Sequence, residues 1–245
     1  MKQHNLRKLG ALLRDAWRSY RENFSLMIRT YLYALIGFVP LIATLILLFA
    51  YSQTYPYFSF GLQVFLAVLL AYAGLFSLGF LIYMTVNAYL GMFIAIKENF
   101  RLEPKQNLEE GKKRFWSYIV ISLLTFLLIL FWFFMLVIPA LVFMVFYSLA
   151  VYVLIFEDKR EMDAIKRSYH LIKGRFWAVT GRLLFLLLIV AAISGLFASL
   201  RSLGEEGSLW FSLMSLLEQV AGFILTPFYI LYNFFIYKDL SVKKD

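Results

Sequence analysis

Few side chains in this sequence have the type and spacing to do chemistry. There is no cysteine, which removes disulfides, thiolate nucleophiles and cysteine metal sites. Two histidines are present, His4 and His170, each in a basic stretch with no carboxylate at ligand spacing. Metal-assisted hydrolysis needs clustered His, Asp and Glu ligands, and a nucleophilic triad needs a base that neither histidine is placed to supply. No glycine-rich phosphate loop occurs. The expectation is a protein without enzymatic activity, metal or other cofactor.

What remains is of two kinds. The first is isolated polar groups inside long apolar runs: Asn87, Glu218, Gln219, Asn233 and Arg182. In a membrane-spanning helix such groups mark ion or substrate paths, or interhelical hydrogen bonds. Counting back from Lys238, a span of about 20 residues reaches Glu218 at its outer end. Asn87 and Asn233 fall toward the inner ends of their runs, and Arg182 can snorkel to the interface. Interfacial placement and interhelical bonding are preferred over a transport path.

The second kind is basic. Phe156–Trp177 carries six Lys or Arg residues between two apolar runs of membrane length. Glu161 and Asp163 suit a helix's first turn. Met162, Ile165, Tyr169 and Ile172 recur at helical spacing, Lys166, Arg167, His170 and Lys173 fall opposite, and Gly174 follows as a stop signal. Arg175, Phe176 and Trp177 then open the next run. This reads as a basic amphipathic helix on a membrane surface ending in an aromatic belt; the alternative is a solvated connector. Residues 5–24 repeat the design. Leu6, Leu9, Leu13, Trp17, Tyr20 and Phe24 share one face, Arg7, Arg14, Arg18 and Arg21 the other, and Asn5 stands as cap. Two placements are open for it: on anionic lipid, or packed on the protein's own spans. Arg7, Arg14, Arg18, Arg21, Lys166, Lys173 and Arg175 are the candidate contacts to anionic headgroups.

The elements that position these residues follow from composition. Of 245 residues, 62% are hydrophobic and 16% charged, against roughly 25% charged in soluble domains; mean hydropathy is +0.76. The predicted fold is all-α, a single polytopic membrane domain over residues 1–245. Its six transmembrane helices lie near 30–50, 61–96, 116–137, 139–156, 179–200 and 209–237. Pro40 should kink the first and free a carbonyl. The second is one long helix, tilted or projecting beyond the bilayer on its outer side, with Ala71, Gly74, Ser77, Ala88 and Gly91 suited to close packing. Asn107 with Glu110 resembles a capping box. Ile138–Pro139 makes a tight hairpin of the third and fourth. With six spans and a cytoplasmic N-terminus, 23 of 24 Lys and Arg lie inside and only Arg201 outside, as the positive-inside rule requires. The net charge of +9 therefore addresses a cytoplasmic membrane surface and not nucleic acid. Arg114-Phe115-Trp116 and Arg175-Phe176-Trp177 each close a basic stretch and open a span, with Arg21–Phe24 a weaker third. They suggest a threefold repeat of basic segment and helical hairpin.

Some of these residues form a recognisable pattern. An apolar run ends in Glu157; Asp163-Ala164 begins a helix that runs through Arg167-Ser168 to Lys173-Gly174; and the last span carries Pro227 before Tyr237–Leu240. Over roughly residues 100–240 this resembles the membrane domain of glycerophosphoryl diester phosphodiesterases and related uncharacterised six-span bacterial membrane proteins. The resemblance implies a six-span fold. The soluble phosphodiesterase domain carried by some members is not in these 245 residues, so the family's catalytic activity is not expected.

The function expected is therefore that of a non-enzymatic protein of the cytoplasmic membrane, both termini inside. Membrane lipids would be its partners, with a protein partner a candidate at the basic inner face. It would serve membrane organisation or homeostasis, or hold a partner as a scaffold. The alternative is a transporter of a lipid or small molecule. Asp239, the acid at the exit of the last span, should pair with Arg167 or Arg175 and close that face.

Overall fold

The computed structural model describes residues 6–241 and is all-α there. Asn5 and His4 lie outside the described residues. Ten α-helices follow in order: α1 (Leu9–Leu32), α2 (Phe38–Thr54), α3 (Phe60–Lys97), α4 (Pro104–Lys112), α5 (Phe115–Met135), α6 (Val137–Tyr147), α7 (Ala150–Phe156), α8 (Glu161–Ile172), α9 (Phe176–Arg201) and α10 (Leu209–Ser241). Among the described residues six helical stretches are long and apolar enough to cross a membrane, the pattern of a multi-pass membrane protein. The chain divides into two compact units. One is made by the residues up to Phe24 with those from Trp116 onward, the other by Ser25–Phe115.

In the second unit the expected break between an amphipathic helix and a first span is absent. α1 runs on to Leu32, because residues 11–36 contain neither Gly nor Pro. The irregularity falls later, as a 3₁₀ segment at Tyr33–Gly37. Pro40 has no N–H for the Ile36 carbonyl and its ring crowds that group; the chain tightens there, and the Phe38 N–H turns to the Leu35 and Ile36 carbonyls. The Pro40 carbonyl in turn accepts from Thr44 at 2.9 Å and from Ser77 of α3 at 3.1 Å.

α3 is the single long helix expected. Its 38 residues span about 57 Å, against a hydrocarbon core of about 30 Å. The part of α3 buried in protein lies at the Lys97 end. Leu90–Ile96 is buried without interruption, while Leu62–Ile82 exposes most of its large apolar side chains. α4 covers that end, where Gly91 and Gly111 let the two helices touch at backbone distance: a Cβ on Gly111 would stand 3.1 Å from the Gly91 nitrogen. Gly74, by contrast, meets nothing within 4 Å. α4 is capped a full turn before the expected site. Glu103 is the N-cap, Pro104 opens the helix, and Gln106 reciprocates as a capping box. Asn107 is buried instead and donates to the Leu102 carbonyl at 3.3 Å.

In the first unit α5 and α6 form the expected hairpin, with Trp132 stacked on Phe143 at 4.4 Å. The turn is at Leu136 and not at Ile138–Pro139, since Pro139 cannot bond to the Met135 carbonyl and so ends α5 there. The fourth span is itself divided into α6 and α7. Ser168 of α8 is inserted at the break: its Oγ donates to the Phe146 carbonyl at 2.7 Å and accepts from the Leu149 N–H at 3.2 Å. α8 has the bounds expected, and Gly174 leaves it at φ +88°. Its buried face is rotated from the expected one. Ala164, Ile165, Ser168, Leu171 and Ile172 are buried, whereas Met162 is exposed. That face packs on α6, α7 and α10, so the helix is a packed part of the first unit.

α10 repeats the behaviour of α3. Ile230, Leu231, Tyr232, Ile236, Tyr237 and Leu240 are buried, while Leu209–Val220 is largely exposed. Each unit thus buries its core at the end where Lys and Arg gather. Two of the three segments of the suggested repeat share local form. α4 and α8 both follow a buried span end and a turn with left-handed residues (Asn99 and Phe100; Asp158), and both precede Arg-Phe-Trp. α1 runs unbroken to Leu32 and is preceded by no such turn among the described residues.

Candidate functional site

The basic end of the first unit is built around Arg7. Its Nε donates to Asp239 Oδ1 at 2.7 Å, its backbone N–H to Asp239 Oδ2 at 3.1 Å, and its Nη1 to Asp15 at 2.7 Å. The guanidinium also lies 5.0 Å from the centre of the Phe235 ring. Arg182 donates to the Arg7 carbonyl, and Tyr232 donates to the Arg182 carbonyl at 3.0 Å. Burial alone would lower the Arg7 pKa; hydrogen bonds to the two carboxylates outweigh it and hold it above its ordinary value.

Arg7 fixes where α1 starts, and aromatic contacts fix its direction. Trp17 and Tyr20 pack on Phe228, and the Tyr20 hydroxyl donates to the Ile224 carbonyl at 2.8 Å. As residue numbers rise along α1 they fall along α10, so the two helices run antiparallel. Leu12, Ala16 and Tyr20 are buried. Of the two placements open for this helix, the structure has the second, packed on the protein's own span.

The expected pairing of Asp239 with Arg167 or Arg175 is replaced by the pairing with Arg7. Arg167 is engaged nearer home, with Nε 2.9 Å from Glu157. Glu157 also accepts from Tyr237 at 3.3 Å and has Lys159 at 3.5 Å. Glu157 and Arg167 flank one short turn and meet at little entropic cost, leaving Asp239 for a cation from elsewhere. Arg175 is the N-cap of α9 and has no side-chain capping bond.

The candidate lipid contacts therefore separate. Arg7 is engaged by the carboxylates of Asp15 and Asp239. Arg18 is exposed but paired with Glu22 at 2.9 Å. Arg14, Arg21, Lys166 and Lys173 are exposed and Arg175 half-buried, and among the described residues none of the five has an ion-pair partner. Lys173 stands 5.8 Å from the centre of the Tyr169 ring.

The polar groups of the spans are not brought together. Glu218 pairs with Arg201 at 3.1 Å, so the one arginine expected outside neutralises the one carboxylate in the last span. Gln219 is exposed. Asn233 and Asn87 are buried and donate to the carbonyls of Tyr229 and Tyr83 four residues back, each at 2.9 Å. The Asn87 Oδ1 has no partner among the described residues. No group of three His, Cys, Asp or Glu side chains able to hold a metal occurs among the described residues.

Two cavities lie along α9 in the first unit. The larger, about 630 Å³, runs between α6 and α9 and is lined by apolar side chains with Ser148 and Thr180. The smaller, about 210 Å³, lies between α9 and α10 and includes Glu218. Val190 and Tyr229 line both.

Sequence reasoning missed three residues that matter here. Arg7 had no signal beyond its membership of a basic run. Glu157 and Ser168 stood in the motif but not as ion-pair partner and helix-break staple. Comparisons with protein-family models, curated proteins and solved structures give no match, so the functional reading rests on geometry.

Proposed function

We propose that this chain is a non-enzymatic protein of the cytoplasmic membrane, with both termini in the cytoplasm, that organises anionic lipid at its basic face. The observation that carries the reading is the division of labour among the cations. Arg7 and Arg167 are consumed in closing the first unit, while Arg14, Arg21, Lys166, Lys173 and Arg175 stay at the surface without ion-pair partners among the described residues. A cytoplasmic leaflet bearing anionic lipid attracts such residues at about 1 kcal/mol each. The kinship with the membrane domain of glycerophosphoryl diester phosphodiesterases, read from the pattern of Glu157, Asp163-Ala164, Arg167-Ser168, Lys173-Gly174, Pro227 and Tyr237–Leu240 in the sequence, is part of the proposal. A protein partner would meet the same face.

A second reading, transport of a lipid or small molecule, is favoured by one feature. The two cavities adjoin at Val190 and Tyr229, and Glu218 lines the farther one.

Reporter fusions after Lys97, Asp158 and Asp245 should read cytoplasm, and fusions near Thr54 and Glu206 the outside. One reversed site overturns the topology. In nanodiscs of mixed phosphatidylglycerol and phosphatidylcholine, the purified chain should enrich phosphatidylglycerol around itself, and Arg14→Gln with Arg21→Gln and Lys166→Gln should lower that enrichment. No enrichment overturns the lipid reading. Flux of lipid across liposomes carrying the chain, lost in Glu218→Gln, would establish transport in its place.

A further inference from the structure

Resting on that reading, we propose a discrete site for one anionic diacyl phospholipid in the first unit: one acyl chain in the α6–α9 groove, the phosphate at Lys173 and Arg175.

Three independent features meet there. The groove has the size of a ligand site, about 630 Å³, within the ~300–1,000 Å³ such sites occupy. Its walls are mainly Leu, Ile, Val and Met side chains, and Leu141, Met144, Leu184 and Leu187 on its rim are exposed, so it opens sideways where the solvent is lipid. Along α9 the lining runs from Phe176 to Val190. Below the interfacial Phe176 and Trp177, the stretch from Thr180 to Val190 is about 15 Å of helix, half the roughly 30 Å hydrocarbon core, or one leaflet.

At the end where α9 begins, Phe176 and Trp177 line the groove, and Trp177 is exposed as an interfacial belt residue. Immediately before them stand Arg175 and Lys173, neither with an ion-pair partner among the described residues. The backbone adds charge of the same sign: the first turn of the 26-residue α9 has no side-chain cap and presents its N–H groups and positive dipole end to the same place.

Thr180 supplies the level between. Thr30, Thr44 and Thr226 each donate to the carbonyl four residues back, but the Thr180 Oγ1, like that of Thr125 in α5, is buried without a partner among the described residues. It lies one turn, about 6 Å, inside the start of α9, below the phosphate. Threonine has two χ1 wells in a helix; turned into the groove, the hydroxyl donates to an ester carbonyl of the lipid. Basic head site, hydroxyl donor and apolar channel succeed one another in the order of phosphate, ester and acyl chain.

Native mass spectrometry of the full chain in detergent, titrated with dipalmitoyl phosphatidylglycerol or phosphatidylcholine, tests this. Wild type should retain one phosphatidylglycerol per chain in preference to phosphatidylcholine. Lys173→Gln with Arg175→Gln should weaken phosphatidylglycerol retention about 30-fold, about fivefold per charge, and weaken phosphatidylcholine, whose phosphate is offset by its choline, much less, so that the headgroup preference is lost. Leu184→Trp, which narrows the groove and keeps every charge, should weaken both lipids. Retention unchanged by Leu184→Trp overturns the groove and leaves the basic-face reading standing. Headgroup preference that disappears with Arg14→Gln and Lys166→Gln but survives Lys173→Gln with Arg175→Gln overturns the head site. Should Leu184→Trp not fold, quenching by phosphatidylglycerol brominated on its acyl chains decides. The part of the quenching that Trp177→Phe removes should saturate at one lipid per chain, and a part that grows without saturating overturns the site.

Discussion

The two units close their basic ends by opposite means. In the second, α3 and α4 meet through absence of side chain. A Cβ on Gly91 would lie 2.9 Å from Thr30 Cγ2, and one on Gly111 3.1 Å from the Gly91 nitrogen, with Ala88, Leu90, Phe93 and Leu108 packed around them. The Lys112–Glu109 and Lys113–Glu110 pairs sit on the surface and add little. In the first unit the contact is made by charge and hydroxyl: Arg7 on Asp239, Arg167 on Glu157, Tyr20 on the Ile224 carbonyl, and Tyr152 on the Ile230 carbonyl at 2.9 Å. The difference follows from chain connectivity. α4 follows α3 after a short turn, so closing that loop costs little and shape alone is enough. Arg7 and Asp239 are 232 residues apart, and nothing in the chain sets their register. Directional bonds do that, whereas apolar packing alone would let α1 slide along α10.

The sharpest way to break the comparison is to add a side chain to the second unit. Gly111→Val should cost about 3 kcal/mol or more, since the group it meets is backbone and cannot give way. Thermal unfolding in detergent measures it. Gly79→Ala on the same α3 meets nothing within 4 Å and should be neutral or stabilise by up to about 1 kcal/mol. Equal losses from both would mean that the helix, and not the α3–α4 contact, is sensitive.

In the first unit the corresponding variant removes a charge. Asp239 is 11% exposed and Arg7 30%, so the pair stands between the surface and fully buried cases. Asp239→Asn should cost about 2 kcal/mol, much of it from leaving Arg7 short of a partner. Combined with Arg7→Gln the losses should be non-additive by about 1–2 kcal/mol, while Asp239→Asn with Arg167→Gln should add. Additivity in the first cycle would remove the pair from the closure.

That contrast also marks how far the sequence could be read. The long helices, the undivided α3, the limits of α8 and the stop at Gly174 were legible, because hydrophobic run length and helix punctuation are local signals. Asp239's partner was not. Charge alone makes Arg7, Arg167 and Arg175 equivalent, and only the fold reveals that Glu157 has already taken Arg167. The length of α3 was legible but not which end is buried in protein, since Leu90–Ile96 is as apolar facing protein as it would be facing lipid. The division of the fourth span was hidden for a different reason. Nothing around Ser148 announces a break, which is held open from outside by Ser168. The groove along α9 was invisible, being a relation between helices that share no pattern.

Ser168 and Asn107 give a finer comparison, since each is the fully buried polar residue of its short helix. Ser168 satisfies the Leu149 N–H and the Phe146 carbonyl at once. Ser168→Ala should leave that N–H orphaned and cost about 1.5–2 kcal/mol. Asn107 donates one long bond, at 3.3 Å, and leaves its Oδ1 without a partner among the described residues. Asn107→Ala should cost about 1 kcal/mol or less, because it also removes an unsatisfied oxygen. Measured by thermal unfolding, the reverse order would show that α4 depends on its polar residue as much as α8 does.

The smallest effects on stability belong to the cations that close nothing, and there the comparison moves from folding to function. Arg14→Gln and Arg21→Gln remove exposed guanidinium groups without ion-pair partners among the described residues, and each should change stability by no more than about 0.5 kcal/mol. Their effect on anionic lipid should be larger, a loss of about fivefold in apparent affinity each. Salt separates the two roles. At 1 M salt the screening length falls to about 3 Å, so the attraction of Arg14 and Arg21 for an anionic surface should largely vanish. The Arg7–Asp239 coupling is a 2.7 Å contact shielded by Phe235 and should persist. Phosphatidylglycerol enrichment in nanodiscs and the Arg7–Asp239 cycle, each run at low and high salt, make the measurement. If both quantities fall together, the closing pair is as open to solvent as the surface cations, and the distinction between residues that hold the unit shut and residues that face the membrane is lost. If enrichment falls and coupling stays, the same basic end carries two populations of arginine that composition cannot tell apart.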